Sequence, residues 1–302
     1  MGESNSKTKD RNLQSEKEAA MRVSKNSLIV NFGLSFFKLL AGILAHSGAM
    51  VSDAVHSASD VFSTLIVMAG INMANKEADK GHPYGHERLE CVAALILAFV
   101  LLLTGAGIGY QGIVIILSGQ FEKLQTPGIL ALAAAIISIV VKEWMYWYTK
   151  RVADLINSGA LKADAWHHRS DALSSVGALI GIVGARLGEP LLDPLVSVLI
   201  CLFILKAAVD IFKDALDKMV DKACDDTVED NLRKVILKQQ GVLGITLLHT
   251  RMFGSKIYVD VEIEADGKLT LFESHEIAEK VHKAIELTNH QVKHCMVHVN
   301  PK

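Results

Sequence analysis

An apolar stretch near the N-terminus of this sequence contains titratable side chains at helical spacing. Asp53, His56 and Asp60 stand at positions i, i+3 and i+7, on one face of a helix. A second stretch contains His167 and Asp171, which are one helical turn apart on a shared face. Carboxylate and imidazole groups from two facing helices would form a compact oxygen and nitrogen site that suits a borderline divalent cation. Such ligands bind metal only with neutral imidazole and ionised carboxylate, so metal binding would release protons.

Other ionisable residues in the same stretches have two interpretations. Asp60 and Asp164 could equally tie helices together through hydrogen bonds. His56 could bind metal, but packing or the support of a neighbouring ligand is the stronger interpretation. His168 directly follows His167 and therefore points to another helix face, which argues against a ligand role.

The elements that must position these residues are long and apolar. Half of the 302 residues are hydrophobic, and a bilayer-spanning helix needs roughly 20 mainly apolar residues. Six stretches meet that need, although the second and fifth are only partly apolar because they contain the titratable residues. The six stretches are 27–45, 49–73, 91–117, 128–148, 163–187 and 191–211.

Lysine and arginine are distributed unevenly between the links. The N-terminal tail and the links after the second and fourth stretches contain most of them, whereas the alternate links hold only Lys123 and Arg186. Because cytosolic loops have the excess of basic residues, both termini are predicted to be cytosolic. The formal net charge of −2 gives no sign of a nucleic-acid surface. We therefore expect a protein of the lipid bilayer with six spans, in the cell (inner) membrane, and no nucleic-acid partner.

The last part of the chain has the pattern of a soluble domain. A helix is predicted from Asp225 or Asp226 to residue 240, and a capping box at Thr270 and Glu273 predicts a helix to about residue 287. Alternating apolar and polar residues predict strands at 245–253, 256–264 and 295–299.

The order of these elements, αββαβ, predicts a small α+β domain. The chain is accordingly divided into three parts, which are a cytosolic tail (1–26), a six-helix membrane domain (27–212) and a cytosolic domain (213–302).

Four motifs give the chain a resemblance to the cation diffusion facilitator family. They are SDAVHSASD at 52–60, HPYGHERLE at 82–90, ADAWHHRSD at 163–171 and LDPL at 192–195. The resemblance covers nearly the whole chain and implies an α-helical membrane protein with six transmembrane helices, followed by a ferredoxin-like αββαβ domain. It also implies a homodimer that exports divalent metal ions from the cytosol in exchange for protons.

The transport site implied by the resemblance takes two residues, four apart, from each of the second and fifth helices. Asp53, His167 and Asp171 stand at matching positions, and the fourth position is Ala49, which offers no ligand atom. Water, a backbone carbonyl or a nearby side chain such as His56 would then complete the shell. Imidazole favours Zn²⁺ or Fe²⁺ over Mn²⁺, and all three are candidates for the transported and regulatory ion.

A second candidate site lies in the link after the second stretch. Asp79, His82 and His86 are separated by glycine and proline, so they are not helical neighbours. Some relatives in the family that the chain resembles bind metal at matching positions. The alternative is a tight turn whose histidines bond to the backbone or to the C-terminal domain.

A third candidate site lies in the C-terminal domain. The resemblance implies metal ligands at Asp260, His275 and His298, with Glu262 and His249 as weaker additions. Exposed acidic and imidazole groups are also common without a metal. If these residues bind an ion between two subunits, the ion would bias subunit docking and report a high cytosolic metal concentration.

Three classes of function fit parts of this pattern. A metal/proton antiporter accounts for all of it, and a membrane-anchored metal sensor would bind the ion without moving it. An intramembrane metalloenzyme fits worst, because no general base is paired with a zinc motif and position 90 of the would-be HExxH is Glu90.

Overall fold

The structure is a computed structural model that describes residues 2–44, 48–119, 129–186, 189, 191–289 and 291–302. Within these ranges the side chains of residues 2–14 and 48–59, and of some others in the helices, lie outside the description. By its contacts the chain divides into two units, Asn12–Ala215 and Met1–Arg11 with Leu216–Lys302.

Six long helices occupy the positions of the six predicted apolar stretches. They are α1 (Gly2–Leu44), α2 (Gly48–Ala74), α3 (Arg88–Ser118), α4 (Ile129–Leu155), α5 (Gly159–Arg186) and α6 (Leu192–Met219). Helix α1 begins far before residue 27, and the segment 16–20 of the polar tail, EKEAA, consists of strong helix formers.

Two helices in the described part of the chain, Arg88–Ser118 and Pro194–Met219, are long and apolar enough to cross a membrane. In α2 the apolar segment is Asp60–Ala74, which is shorter than a membrane span. Helix α5 includes Asp164, His167 and Asp171 among its residues, which lowers its apolar content. The six predicted spans therefore correspond to six helices. In the described residues, two of these helices are long and apolar enough to cross a membrane.

The helical unit has charged groups inside and large apolar side chains outside. Asp60 and Lys142 are only 2% and 1% exposed, whereas Phe32 and Leu117 are 68% and 81% exposed. A large apolar surface marks a contact with protein or membrane. This distribution is the inverse of that in a water-soluble bundle, and it fits a bundle surrounded by lipid.

Helix α5 lies within the bundle and packs against α2, α3 and α4. Its small residues Ala160, Ala163 and Ala165 are completely buried. Close packing also joins α2 to α3, because a side chain at Gly70 would overlap the side chain of Ala93. These contacts bring the polar residues of α2, α4 and α5 to one place in the interior.

The C-terminal unit has the predicted αββαβ order. After α7 (Asp226–Leu237) follow β1 (Gly244–Phe253), β2 (Lys256–Ala265), α8 (Leu271–Thr288) and β3 (Val292–Pro301). The sheet order is β1-β2-β3, with β1 antiparallel and β3 parallel to β2. Apolar residues of one sheet face, among them Val259 and Val261, pack against α7 and α8, and Val281 of α8 belongs to the same core.

The ends of the two C-terminal helices show one confirmed capping motif and one difference. Thr270 Oγ1 accepts a hydrogen bond from the Glu273 backbone N–H at 3.3 Å, and the Thr270 N–H donates to Glu273 Oε2 at 2.8 Å. This reciprocal pair is the predicted capping box. Asp225 takes the N-cap position of α7, but its side chain makes no cap hydrogen bond.

Candidate metal centre

Three potential metal ligands meet inside the helical unit. They are Asp60 on α2 and His167 and Asp171 on α5, whose ligand atoms all lie within 4.8 Å of one another. His167 Nε2 is 3.4 Å from Asp60 Oδ1. All three side chains are buried, so an ion bound among them would lose most of its water shell. We call these three residues the membrane cluster.

The ring nitrogens of His167 are buried and are available to bind an ion. Neither of its ring nitrogens has a hydrogen-bond partner among the described residues, although the side chain is buried. Buried polar atoms are nearly always hydrogen-bonded, so an exception calls for an explanation such as a bound ion. A divalent cation between Nε2 and the two carboxylates would satisfy this atom, and the residues present fit such an ion.

Lys142 of α4 lies against the membrane cluster. Its Nζ donates to Asp60 Oδ2 at 2.6 Å, to Asp171 Oδ2 at 2.9 Å and to Asn31 Oδ1 at 3.0 Å. The ammonium group therefore offsets part of the negative charge of the two carboxylates. Lys142 was not among the residues predicted to bind metal, although a lysine within an apolar, membrane-spanning stretch is usually functional.

The structure brings together only part of the predicted transport site. His167 and Asp171 are adjacent as predicted, and Asp60 joins them. Asp53 and His56 belong to α2, but their side chains lie outside the described residues, so their ligand roles stay predictions.

A second buried pair lies one turn before the membrane cluster on α5. Asp164 and His168 are both 0% exposed, with 3.5 Å between Asp164 Oδ2 and His168 Nε2. Neither side chain has a hydrogen-bond partner in the described part of the chain. His168 is not a member of the membrane cluster, as its helix face predicted.

The loop between α2 and α3 gathers all three predicted residues. Asp79 Oδ1 is 3.4 Å from His82 Nδ1, and Asp79 Oδ2 is 3.5 Å from His86 Nε2. Ligand atoms of the three side chains lie within 4.8 Å of one another. Gly85 has a φ of 100°, a conformation that side chains disfavour, which allows the chain to turn between the two histidines.

Asp79 is held in its ionised form. Lys76 Nζ donates to its Oδ2 at 2.8 Å, and the N–H groups of Gly81 and His82 each donate to its Oδ1 at 2.9 Å. The hydrogen bond from Lys76, followed by those from the backbone, keeps the pKa of Asp79 well below its usual range. A carboxylate so placed is available to a cation at any physiological pH.

The C-terminal candidates are spread over the sheet and α8. Asp260 stands opposite His249 on β1, and Glu262 stands beside His298 on β3. His249, His275 and His298 are exposed. Among the described residues of one chain, Asp260, His275 and His298 do not form a group of three ligands within 4.8 Å, so their joint site stays a prediction.

Models of two protein domains match this chain. The cation efflux transmembrane domain matches residues 24–220, and the cytoplasmic domain of cation efflux proteins matches residues 224–302. The chain belongs to the cation efflux, or cation diffusion facilitator, family. The resemblance that the four motifs indicated is therefore confirmed.

Several curated members of the cation efflux family align with nearly the whole chain. Metal tolerance protein C1 of Arabidopsis thaliana is 35% identical over 94% of this chain and 63% of its own length, so the chain spans less than two thirds of that relative. Magnetosome protein MamB of Magnetospira sp. (strain QH-2) is 31% identical, with 94% and 97% of the two chains covered. Manganese efflux system protein MneS of Bacillus subtilis (strain 168) is 33% identical, with 89% and 91% covered.

A solved structure of the MamM C-terminal domain, in a manganese form, aligns with 26% of this chain and 98% of its own. The two are 25% identical in sequence, and the TM-score is 0.25. A score this low supports no argument about this cation efflux protein.

Proposed function

We propose that this protein is a secondary transporter that exchanges a divalent metal ion for protons at Asp60, His167 and Asp171. The observation that supports it best is the membrane cluster, which is two carboxylates and an imidazole buried in a bundle with an apolar exterior. Ionisable groups are costly inside a membrane and are usually functional there. Reversible metal binding accounts for this cost, and it also explains why the buried His167 ring nitrogens have no hydrogen-bond partner among the described residues.

The spacing of the membrane cluster adds His56 to the proposed ligands. His167 and Asp171 are four residues apart in α5, and Asp60 follows His56 by four residues in α2. Each helix would then supply one imidazole and one carboxylate, a set of four ligands that suits tetrahedral Zn²⁺. Asp53 lies about 10 Å further along α2, and we propose that it binds the ion at another point of the pathway.

Zn²⁺, Fe²⁺ and Mn²⁺ are the proposed substrates. Imidazole ligands favour Zn²⁺ and Fe²⁺, and carboxylates also accept Mn²⁺. The name of the relative MneS, a manganese efflux system protein, supports Mn²⁺ as a member of this set.

Proton coupling follows from competition for the same ligand atoms. A proton on an imidazole or carboxylate excludes the metal, so an ion that binds must displace protons. A conformational change that exposes the ligands first to one side and then to the other would make this competition an exchange. We propose export from the cytosol by a homodimer with six spans in each subunit.

The cytosolic parts would regulate this export. Asp79, His82 and His86 form a proposed second metal site, and Asp260, His275 and His298 a proposed third site that is completed when two subunits meet. Because an ion bound between subunits stabilises their closed arrangement, it would increase export when cytosolic metal is high.

Metal flux into proteoliposomes under an imposed pH gradient tests the proposed exchange. Wild type should accumulate metal, whereas Asp171→Asn and Asp60→Asn should reduce accumulation to that of protein-free liposomes. Asp154→Asn is a matched control, because this exposed residue of α4 pairs only with Lys150 in the described structure. Undiminished flux in both cluster variants would refute the assigned site, and binding without flux in wild type would favour a sensor.

A further inference from the structure

The Lys142 ammonium makes as many hydrogen bonds as it has N–H donors. The group has three N–H donors, and its three acceptors are Asp60, Asp171 and Asn31, from α2, α5 and α1. The side chain is 1% exposed, so water does not compete for these bonds. A polar network that is fully satisfied in this way fixes the position of its members.

The Lys142 ammonium and a metal ion would both bind the carboxylates of Asp60 and Asp171. Nζ is bonded to one oxygen of each carboxylate in the membrane cluster. A divalent cation at the same place would bring two positive groups within a few ångströms of each other in a buried site, where charge repulsion is strong. Metal binding to both carboxylates is therefore favoured only after Lys142 has moved away from them.

Asn31 is positioned to retain Lys142. Its amide Nδ2 donates to Thr64 Oγ1 at 3.5 Å, and Thr64 Oγ1 donates to the backbone carbonyl of Asp60 at 3.3 Å. These bonds turn the amide oxygen of Asn31 towards Nζ. Asn31 therefore contacts Lys142 without being a metal ligand, and it can be changed without altering the membrane cluster.

We propose that Lys142 is a built-in substitute for the transported cation, which occupies the carboxylates in the metal-free protein and lowers the affinity for metal. The inference rests on the proposed function, since it concerns the same site. When only a fraction of the molecules has the competent arrangement, the apparent dissociation constant is the intrinsic one divided by that fraction. Lys142 keeps the fraction small, and its return to the carboxylates promotes release of the ion.

Calorimetric titration of the full-length protein in detergent with Zn²⁺ tests this role. Lys142→Met replaces the side chain with an unbranched one that is one atom shorter and has no charge. It should bind Zn²⁺ at least about tenfold more tightly than wild type, which corresponds to about 1.4 kcal/mol. Lys150→Met removes an exposed lysine from the same helix and should leave the affinity unchanged. Equal or weaker binding by Lys142→Met would overturn the proposal.

A second variant covers the case in which Lys142→Met does not fold. Asn31→Leu removes one of the three bonds to Nζ and leaves every charge in place, so it should also tighten Zn²⁺ binding, by a smaller factor. Unchanged or weaker binding by Asn31→Leu would overturn the proposal.

Co²⁺ absorption separates competition from direct coordination by Lys142. The visible spectrum of bound Co²⁺ should be the same in wild type and in Lys142→Met, because Lys142 leaves before the ion binds. A changed spectrum would mean that the amine is itself a ligand and would overturn the proposal.

Failure of this inference is distinguishable from failure of the proposed function. If wild type binds Zn²⁺ and Asp171→Asn does not, the membrane cluster is the metal site. The result for Lys142→Met then tests only the proposed role of Lys142. If Asp171→Asn and Asp60→Asn bind Zn²⁺ as wild type does, the membrane cluster is not the site and both proposals fail.

Discussion

His167 and its two carboxylate neighbours have different surroundings. Lys142 bonds to Asp60 and Asp171, whereas the imidazole of His167 has no hydrogen-bond partner among the described residues. Its nitrogen is therefore the ligand atom most directly available to an ion. Because nitrogen ligands favour Zn²⁺ over Mn²⁺, His167 is also the residue that should set metal preference.

Replacement of His167 with aspartate should change that preference. His167→Asp leaves only oxygen ligands on α5, so the ratio of Zn²⁺ to Mn²⁺ affinity should fall by about tenfold or more, at least about 1.4 kcal/mol. Competition titrations of the two ions on the purified protein measure the ratio. His294→Asp, at an exposed position of β3, is the control. An unchanged ratio in His167→Asp would show that His167 does not select the ion.

Asp79 provides a prediction about pH. Its lowered pKa stabilises the loop at pH values above the ordinary aspartate pKa of about 3.9, and this contribution is lost only as the pH falls through the lower folded-state value. A carboxyl-carbon titration of the labelled protein should therefore show no change at Asp79 between pH 7 and about 4. Lys76→Met should move its midpoint upwards, because the bond from Lys76 is the largest stabilising cause. Lys80→Met should have no effect, and equal midpoints in wild type and Lys76→Met would contradict the assignment.

The sequence predicted which residue types and helix faces form the candidate sites better than it predicted how deep each residue lies in the helix bundle. The four-residue spacing identified His167 and Asp171, and the loop motif identified Asp79, His82 and His86. Asp53 and Asp60 lie on one helical face, so spacing alone does not decide which of them meets α5. The contact between α2 and α5 brings Asp60 to His167 and Asp171, and that contact is tertiary information. Lys142 could not be linked to these carboxylates for the same reason.

Among the elements, α8 has a beginning that the sequence predicted in detail. The capping box at Thr270 and Glu273 satisfies backbone N–H groups that otherwise lack partners at a helix start. The alternation of apolar residues likewise predicted β2 and the inward Val297 and Val299 of β3. The start of α1 was not predicted, because a polar segment with strong helix formers has no apolar periodicity to reveal it.

Removal of the cap should weaken the C-terminal unit. Thr270→Ala should cost about 1 kcal/mol of unfolding free energy. Cys295 of β3 reports the unfolding, because it is 2% exposed and burial raises its pKa to about 12, which makes the native thiol unreactive. Maleimide labelling of Cys295 in increasing urea, read by mass spectrometry, should begin at lower urea in Thr270→Ala than in wild type. Ser274→Ala is the control, and the same midpoint in all three proteins would refute the role of the cap.

At the scale of the whole molecule, the apolar exterior of the helical unit and the basic residues of its links imply one orientation in the membrane. The proposed six spans would place both termini on the same side, and the basic links predict that this side is the cytosol. Tags at the N- and C-terminus should therefore both be protected from protease in sealed right-side-out vesicles and both be cleaved in inverted ones. Cleavage of only one tag in either preparation would require an odd number of spans.

The exchange of metal for protons is tested most directly by the protons that a metal gradient moves. Proteoliposomes with a pH dye inside and no imposed pH gradient receive Zn²⁺ or Mn²⁺ outside. With wild type and with Asp154→Asn, metal should enter and the lumen should become more alkaline. With the double variant Asp60→Asn, Asp171→Asn, no metal should enter and the internal pH should not change. Metal accumulation by wild type without any change of internal pH, under conditions in which charge can be balanced by other ions, would contradict proton exchange at the membrane cluster.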